Sequence, residues 1–252
     1  MRLPMKNIIS GSNPIETIVF DFDGTLADTM ESSLLAFEST LLQFHFKLHK
    51  PLNMDIYGAF TIEGMFHSLG ISELDLQSKM VFRYNELYRE IAPKIASLFP
   101  GVRFMLNLLK DRGFRLAIAT NELRENLDIL LKTLGIDHIF DTTCCADEVK
   151  HPKPWPEMGW KVIESLETTA DKTLMVGDSV RDIEMAQHVG MSACAVSWGC
   201  TPFQQLIELS PEWAITDFIQ LVDILQVSHP TADFQNVLVN GTDQISETIV
   251  TY

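Results

Sequence analysis

The run Thr17-Ile18-Val19-Phe20-Asp21-Phe22-Asp23-Gly24-Thr25-Leu26 constrains this chain more than any other stretch, because an apolar segment delivers two aspartates, one residue apart, into a glycine turn. In extended backbone the side chains alternate, so Asp21 and Asp23 share a face while Phe22 turns the other way, toward a core. Two carboxylates that close repel unless a cation sits between them. The usual compensation is a hard divalent ion held by oxygen ligands, typically Mg²⁺. Gly24 lets the backbone turn tightly and brings N–H groups toward an anion. The plainer alternative is an acidic pair that merely solvates a strand-to-turn loop.

After this strand a helical pattern begins. Leu34, Leu35, Phe37, Leu41, Leu42 and Phe44 recur at the spacing of a buried helix face, running until Pro51. Helical segments around Ile62 to Leu69 and Leu74 to Ile91 follow, with breaks at Gly58, Gly70 and Pro93. Beyond Phe99-Pro100-Gly101, short apolar runs at Arg115 to Ala119, Thr173 to Val176, Ser192 to Val196 and Trp213 to Ile215 alternate with helical segments such as Glu122 to Leu134 and Ile183 to Val189. That alternation predicts a doubly wound parallel α/β sheet, Rossmann-like and covered on both faces. A small all-helical cap domain is expected between its first and second strands. The expected boundaries are 14–31 for the first strand and its loop, 32–95 for the cap, 96–226 for the rest of the core and 227–252 for a C-terminal extension. Sheets of this kind bind ligands beyond the carboxyl ends of their strands.

The remaining polar signals fall there. Thr120 and Asn121 end the strand-like run Arg115 to Ala119, where the Thr120 hydroxyl can donate to a phosphate oxygen at a helix N-terminus or simply cap the helix. Lys153 lies between Pro152 and Pro154, which stiffen the loop and give its ammonium a fixed base; an exposed loop lysine is the alternative. Lys150 lacks that flanking context. Asp178 and Asp182 follow the run at Thr173 to Val176, four positions apart and able to face one direction as a helix starts. Asp178 suits a metal ligand and Asp182 a second ligand or a partner through water, with helix capping by Asp178 as the alternative.

Asp21-Phe22-Asp23-Gly24-Thr25-Leu26 resembles the first signature of the haloacid dehalogenase superfamily in its phosphatase form, and Thr120, Lys153 and Asp178-x-x-x-Asp182 follow in the order of its other motifs. The resemblance spans roughly residues 15 to 226 and is greatest to phosphoglycolate phosphatases. It implies Asp21 as nucleophile and Asp23 as general acid and base. Mg²⁺ would be held by Asp21, Asp178 and the Asp23 backbone carbonyl, with Asp182 beside them. Phosphate would be held by Lys153, Thr120 and amides near Gly24 and Asn121. A small phosphorylated metabolite is the implied substrate. The second aspartate argues against the dehalogenases, which lack it. A sugar-phosphate mutase is the closest rival, but Gly177 stands where mutases often carry glutamate, and Ile56 to Ile62 offers no cation. A phosphonate hydrolase would need a cap lysine that no context selects. A non-catalytic binding module on the same fold is the alternative from another class.

Composition agrees with an enzyme of small solutes. The 252 residues carry 19 Lys plus Arg against 34 Asp plus Glu, a formal charge of −15 that opposes nucleic acid and anionic membranes. Four cysteines without C-x-x-C spacing suggest reduced thiols and a cytoplasmic setting, with Cys144 and Cys145 as buried strand residues. No apolar run approaches a membrane span, and Met1 to Pro14 reads as a short arm rather than a signal. His45 and His49 lack a metal-site context, and Trp155 and Phe60 can contact a substrate, with core packing as the default. Lys47, Lys50, Arg83 and Arg89 are cap cations that can hold a substrate anion. The tail from Gln226 carries apolar residues, among them Phe234, Val237 and Val239, expected to pack on the core or on a second copy in a homodimer, with a disordered terminus as the alternative.

Overall fold

A computed structural model describes residues 14–47 and 61–225. The expectations placed on the N-terminal arm, His49, Lys50, Pro51, Gly58, Phe60 and the C-terminal extension lie outside the described residues.

In chain order the strands are β1 (Thr17–Phe20), β2 (Ala27–Asp28), β3 (Ser97–Leu98), β4 (Arg115–Ala119), β5 (Thr142–Cys144), β6 (Thr173–Gly177), β7 (Ser192–Val196) and β8 (Trp213–Ile215). The helices are α1 (Met30–Gln43), α2 (Ile62–Ser68), α3 (Leu74–Ile95), α4 (Val102–Asp111), α5 (Arg124–Thr133), α6 (Glu157–Ser165), α7 (Val180–Val189), α8 (Phe203–Glu208) and α9 (Gln220–Ile224). Six strands form one parallel sheet in the order β5-β4-β1-β6-β7-β8. From β1 the chain steps outward through β4 and β5, then crosses back to β6. The carboxyl ends of β1 and β6 therefore flank the point where strand order reverses, the ordinary place for a ligand in such a sheet. Register fixes the heights there, with Phe20 opposite both Ile118 and Val176.

Every residue of β1 and β6 is buried, as expected of parallel strands covered on both faces, so these segments read as apolar runs rather than alternations. The period of two still sorts them. Ile18, Phe20, Leu116, Ile118, Leu174 and Val176 pack to one side with α4, α5 and α9, whereas Val19, Ala117, Ala119 and Met175 pack to the other with α6, α7 and α8. The first cluster runs on without a break into α1, α2 and α3 through Phe37, Leu41, Phe66, Met80 and Tyr88. Burying each side chain of this size contributes about 1.5–3 kcal/mol, which ties the helical insertion to the sheet.

The chain leaves for the insertion through β2 and returns through β3, which pair antiparallel. This two-stranded neck was not legible in the sequence, since two residues show no period. Three details differ from expectation. Helix α1 closes at Gln43 rather than running to Pro51, and its buried face is Ala36, Phe37, Thr40 and Leu41, leaving Leu35 and Leu42 exposed. Apolar residues were more numerous than one helix face can cover. Helix α3 continues past Pro93 to Ile95, because in the last turn proline forfeits only one N–H bond and its φ is already helical. Strand β5 was missing from the series of runs; Cys144 ends it and Cys145 is buried just beyond. No helix among the described residues is long and apolar enough to cross a membrane.

Candidate active site

Asp21 is the first residue after β1. Its N–H donates to the Val176 carbonyl at 2.9 Å, so the ladder to β6 extends one residue into the loop and holds the carboxyl at the sheet's edge. Its Oδ1 accepts from the Phe22 N–H at 2.7 Å and pairs with Lys153 Nζ at 2.9 Å. The loop then folds tightly, with the Leu26 and Ala27 N–H groups both on the Phe22 carbonyl. Phe22 itself is fully buried, as its alternation with the two aspartates requires.

Gly24 has φ +77°, and a Cβ there would stand 2.5 Å from Asp178 Oδ2. Glycine is needed both for the left-handed backbone and for the space. One expectation is corrected here: the Gly24 N–H donates to the Ala27 carbonyl at 2.9 Å and is not available to a phosphate. The Asp23 and Asn121 amides, by contrast, make no hydrogen bond to another described residue.

Lys153 is almost wholly buried and bridges two carboxylates, Asp21 at 2.9 Å and Asp182 at 2.6 Å. The Asn121 side chain aims the lysine by clamping its backbone: Nδ2 donates to the Lys153 carbonyl and Oδ1 accepts the Lys153 N–H, each at 3.0 Å. Thr120 is buried, and its Oγ1 accepts the Glu122 N–H at 3.1 Å. Helix α5 starts later, with Leu123 at its N-cap, so Thr120 does not cap it. Lys150 stays on the surface, its N–H bonded to Glu157.

Asp182 is fully buried on the first turn of α7, where it and Ser179 form a reciprocal capping box. Its Oδ2 accepts from the Ser179 N–H at 2.9 Å and hydroxyl at 2.6 Å, while Oδ1 takes Lys153. A side chain at Gly177 would run into Asp182, so the glycine ending β6 makes room for it. Ser179, not Asp178, caps α7. Asp178 accepts from Thr25 Oγ1 at 2.9 Å on one oxygen, and on the other from the Cys200 N–H at 2.9 Å and Sγ at 3.0 Å.

Asp21, Asp178 and Asp182 each place a carboxylate oxygen within 4.8 Å of the others. Among the described residues Lys153 pairs with two of these three carboxylates, Asp21 and Asp182. Burial holds the Asp21 carboxyl well above the usual range, Asp182 adds to the effect and Lys153 works against it. Asp178 is raised by burial and then by Asp182. For Lys153, burial alone favours the neutral amine, but Asp182 and Asp21 outweigh it and hold the ammonium charged. This cluster of three carboxylates, an all-oxygen donor set, fits a hard divalent cation. Asp21 Oδ2 makes no hydrogen bond to another described residue and is open to such an ion, whereas both Asp182 oxygens are engaged.

Asp23 faces away from this cluster, toward the helical insertion. Its Oδ1 accepts from Thr29 Oγ1 at 2.6 Å and from the Tyr88 hydroxyl of α3 at 3.3 Å. Thr29 stands at the N-cap of α1 and makes no side-chain cap bond there. Burial raises the Asp23 carboxyl even though both hydroxyls pull it down.

Glu122 was not singled out from the sequence. It is partly buried, and its Oε1 accepts the Leu123 N–H and Asn126 Nδ2, each at 2.7 Å. Burial first, and then the charge of Asp23, push its carboxyl up to about 8. Asn126 reaches on to Asn85 of α3 at 3.3 Å, and Arg89 joins the same group through Asn126 at 3.3 Å and Glu125 at 3.0 Å. The available signal was an acidic residue directly after Thr120-Asn121 at a strand end. Among the expected cap cations, Arg83 is tied to Gln43 and Glu86, and Lys47 is exposed.

A family model described as haloacid dehalogenase-like hydrolase matches residues 18–196. The chain is 34% identical over 213 residues to Probable phosphatase IndB of Dickeya dadantii, covering 81% of this chain and 91% of the relative. It is 28% identical over 211 residues to Pyrophosphatase PpaX of Bacillus mycoides, covering 84% and 97%. The crystal structure of a predicted phosphoglycolate phosphatase from Haemophilus somnus 129PT superposes with a TM-score of 0.75 over 85% of this chain and 99% of that one, at 24% identity, a likeness of fold.

Proposed function

Because the chain belongs to the haloacid dehalogenase-like hydrolase family and is a phosphatase of it, we propose that it is a Mg²⁺-dependent phosphomonoester hydrolase. It acts through an aspartyl-phosphate on a small phosphorylated metabolite, as phosphoglycolate phosphatases do. The observation that carries this reading is the buried Asp21–Lys153–Asp182 bridge beside Asp178, at the carboxyl ends of β1 and β6.

Asp21 attacks phosphorus in line, and the bond to the ester oxygen breaks as the bond to the carboxylate forms. Asp23, whose carboxyl is raised by its burial, gives its proton to the departing alcohol. It then takes a proton from the water that attacks the aspartyl-phosphate, releasing inorganic phosphate and restoring Asp21. Lys153 and Thr120, with the Asp23 and Asn121 amides, hold the phosphoryl oxygens as charge develops on them. Asp182 and Asn121 position Lys153 from either end. Asp21, Asp178 and the Asp23 carbonyl would hold Mg²⁺, which would supply the positive charge that lets a carboxylate approach a phosphate dianion. The engaged oxygens of Asp182 favour an outer role over direct ligation.

Gly177 supports hydrolysis over mutase chemistry, since Asp182 fills the space that a glutamate would need. The four cysteines are free thiols, in keeping with a reducing cytoplasm. The test is hydrolysis of p-nitrophenyl phosphate with Mg²⁺ and with excess chelator: turnover should require the metal, and undiminished turnover in chelator would remove the mechanism.

A further inference from the structure

Strand β7 lies beside β6 in the sheet, with Ala195 opposite Gly177, so the chain leaving β7 passes alongside Asp178. The Ser197 N–H bonds the Ile215 carbonyl of β8 at 3.1 Å and anchors the start of this loop. Two residues of the loop then reach the active site. Cys200 gives its N–H at 2.9 Å and its thiol at 3.0 Å to Asp178 Oδ2. Trp198 Nε1 donates to the Thr25 carbonyl at 3.1 Å, and Thr25 Oγ1 donates in turn to Asp178 Oδ1 at 2.9 Å. One loop therefore holds both oxygens of Asp178, one directly and one through Thr25. Gly199, between the two contacts, lies so close that a Cβ there would run into Asp178. The Trp198 ring is itself set by Phe218 and Phe99, with centroids 5.1 Å and 6.3 Å away.

We propose that Cys200 and Trp198 are positioning residues for the metal site, fixing the Asp178 carboxylate in its ligating orientation before the cation arrives. The proposal rests on the Mg²⁺-dependent reading above and adds the residues that tune it. Three donors converge on Asp178, and an ionised carboxylate is the acceptor-only group that suits them. Among the described residues Oδ2 receives two of these bonds and Oδ1 one, so Oδ1 is the oxygen with a lone pair to spare for a cation. An aspartate free to rotate gives up that freedom when it ligates. One already held by its neighbours gives up less, and the cation binds more tightly by the difference. The thiol is a weak donor, and the Cys200 N–H stays when it is removed. Its share therefore falls at the low end of the about 10–100-fold that a residue behind a metal ligand contributes to affinity.

The experiment measures Mg²⁺ binding to the substrate-free protein by isothermal titration calorimetry, alongside the Mg²⁺ concentration that half-activates hydrolysis of p-nitrophenyl phosphate. Cys200→Ala should weaken Mg²⁺ by about ten-fold in both readouts. Cys200→Ser restores a donor and should return the affinity to within about three-fold of wild type. Trp198→Phe keeps a ring beside Phe99 and Phe218 but removes the indole N–H. It should weaken Mg²⁺ by about three- to ten-fold, what one hydrogen bond is worth. Thermal melts in chelator show which variants fold, and Trp198→Phe carries the test should Cys200→Ala not fold. Wild-type affinity in either of these two variants, once folded, overturns the proposal. So does an equal loss in Cys200→Ala and Cys200→Ser, which would make the sulfur a packing group. If the wild-type protein binds no Mg²⁺ at all, the metal reading fails and this proposal with it.

Discussion

Replacing Lys153 by methionine removes the ammonium that faces Asp21 at 2.9 Å and Asp182 at 2.6 Å, while keeping a buried side chain of similar length. Asp182 retains its bonds to Ser179, but both carboxylates lose their charge partner in a place with almost no solvent. Breaking a buried pair by deleting one partner costs about 3–5 kcal/mol, because the survivor is left uncompensated. For a domain of this size each kcal/mol lowers Tm by about 2–4 °C, so a fall of roughly 6–20 °C is expected. The deficit should depend on pH in a definite sense. Asp21 is raised by burial even with the lysine present, and losing the lysine raises it further. A carboxyl raised in the folded state contributes stability below its unfolded pKa of about 3.9 and loses it as pH climbs through the folded value. The penalty should therefore be slight near pH 4 and grow as pH rises. Urea unfolding of both proteins across that range, in chelator so that no metal replaces the ammonium, measures it. A deficit below about 1 kcal/mol at pH 7.5, or one that does not grow with pH, would refute the account of this cluster.

Asp21→Asn should fold normally and show no turnover, while Asp23→Asn should lose about 10²–10⁴ in kcat; steady-state assays with Mg²⁺ decide both. Gly24→Ala should lower Tm by several degrees and impair Mg²⁺-dependent turnover, because it forces a left-handed alanine against Asp178. Mg²⁺ should raise the Tm of the wild-type protein, and more at pH 8 than at pH 5, since protons compete for the raised Asp21 and Asp178 carboxyls; thermal melts at the two pH values test the sign.

Much of this architecture was legible because strand ends announce themselves. An apolar run followed by a small or acidic residue marks Asp21, Thr120 and Asp178 at the carboxyl ends of β1, β4 and β6. The period of two also gave the burial of Phe22 opposite the aspartates. What stayed hidden depends on contacts between residues remote in the chain. The service of Thr25 and Cys200 to Asp178 spans 153 and 22 positions, and that of Tyr88 to Asp23 spans 65. Nothing local marks them. The Gly24 amide was misjudged because a turn residue's freedom was visible but the carbonyl of Ala27 that captures its N–H was not. Asn121 sits where a phosphate ligand was expected, yet its side chain serves the Lys153 backbone, a role that only the folded loop reveals.

Borohydride trapping addresses the central claim most directly, since it reduces an aspartyl-phosphate to homoserine at the residue that carried the phosphoryl group. Enzyme quenched during turnover of p-nitrophenyl phosphate with Mg²⁺, reduced, digested and sequenced by mass spectrometry, should show homoserine at position 21. It should show none at position 23, and none when chelator replaces the metal. Continued turnover with an intact Asp21 in every reduced sample, or homoserine at another aspartate, would contradict the account.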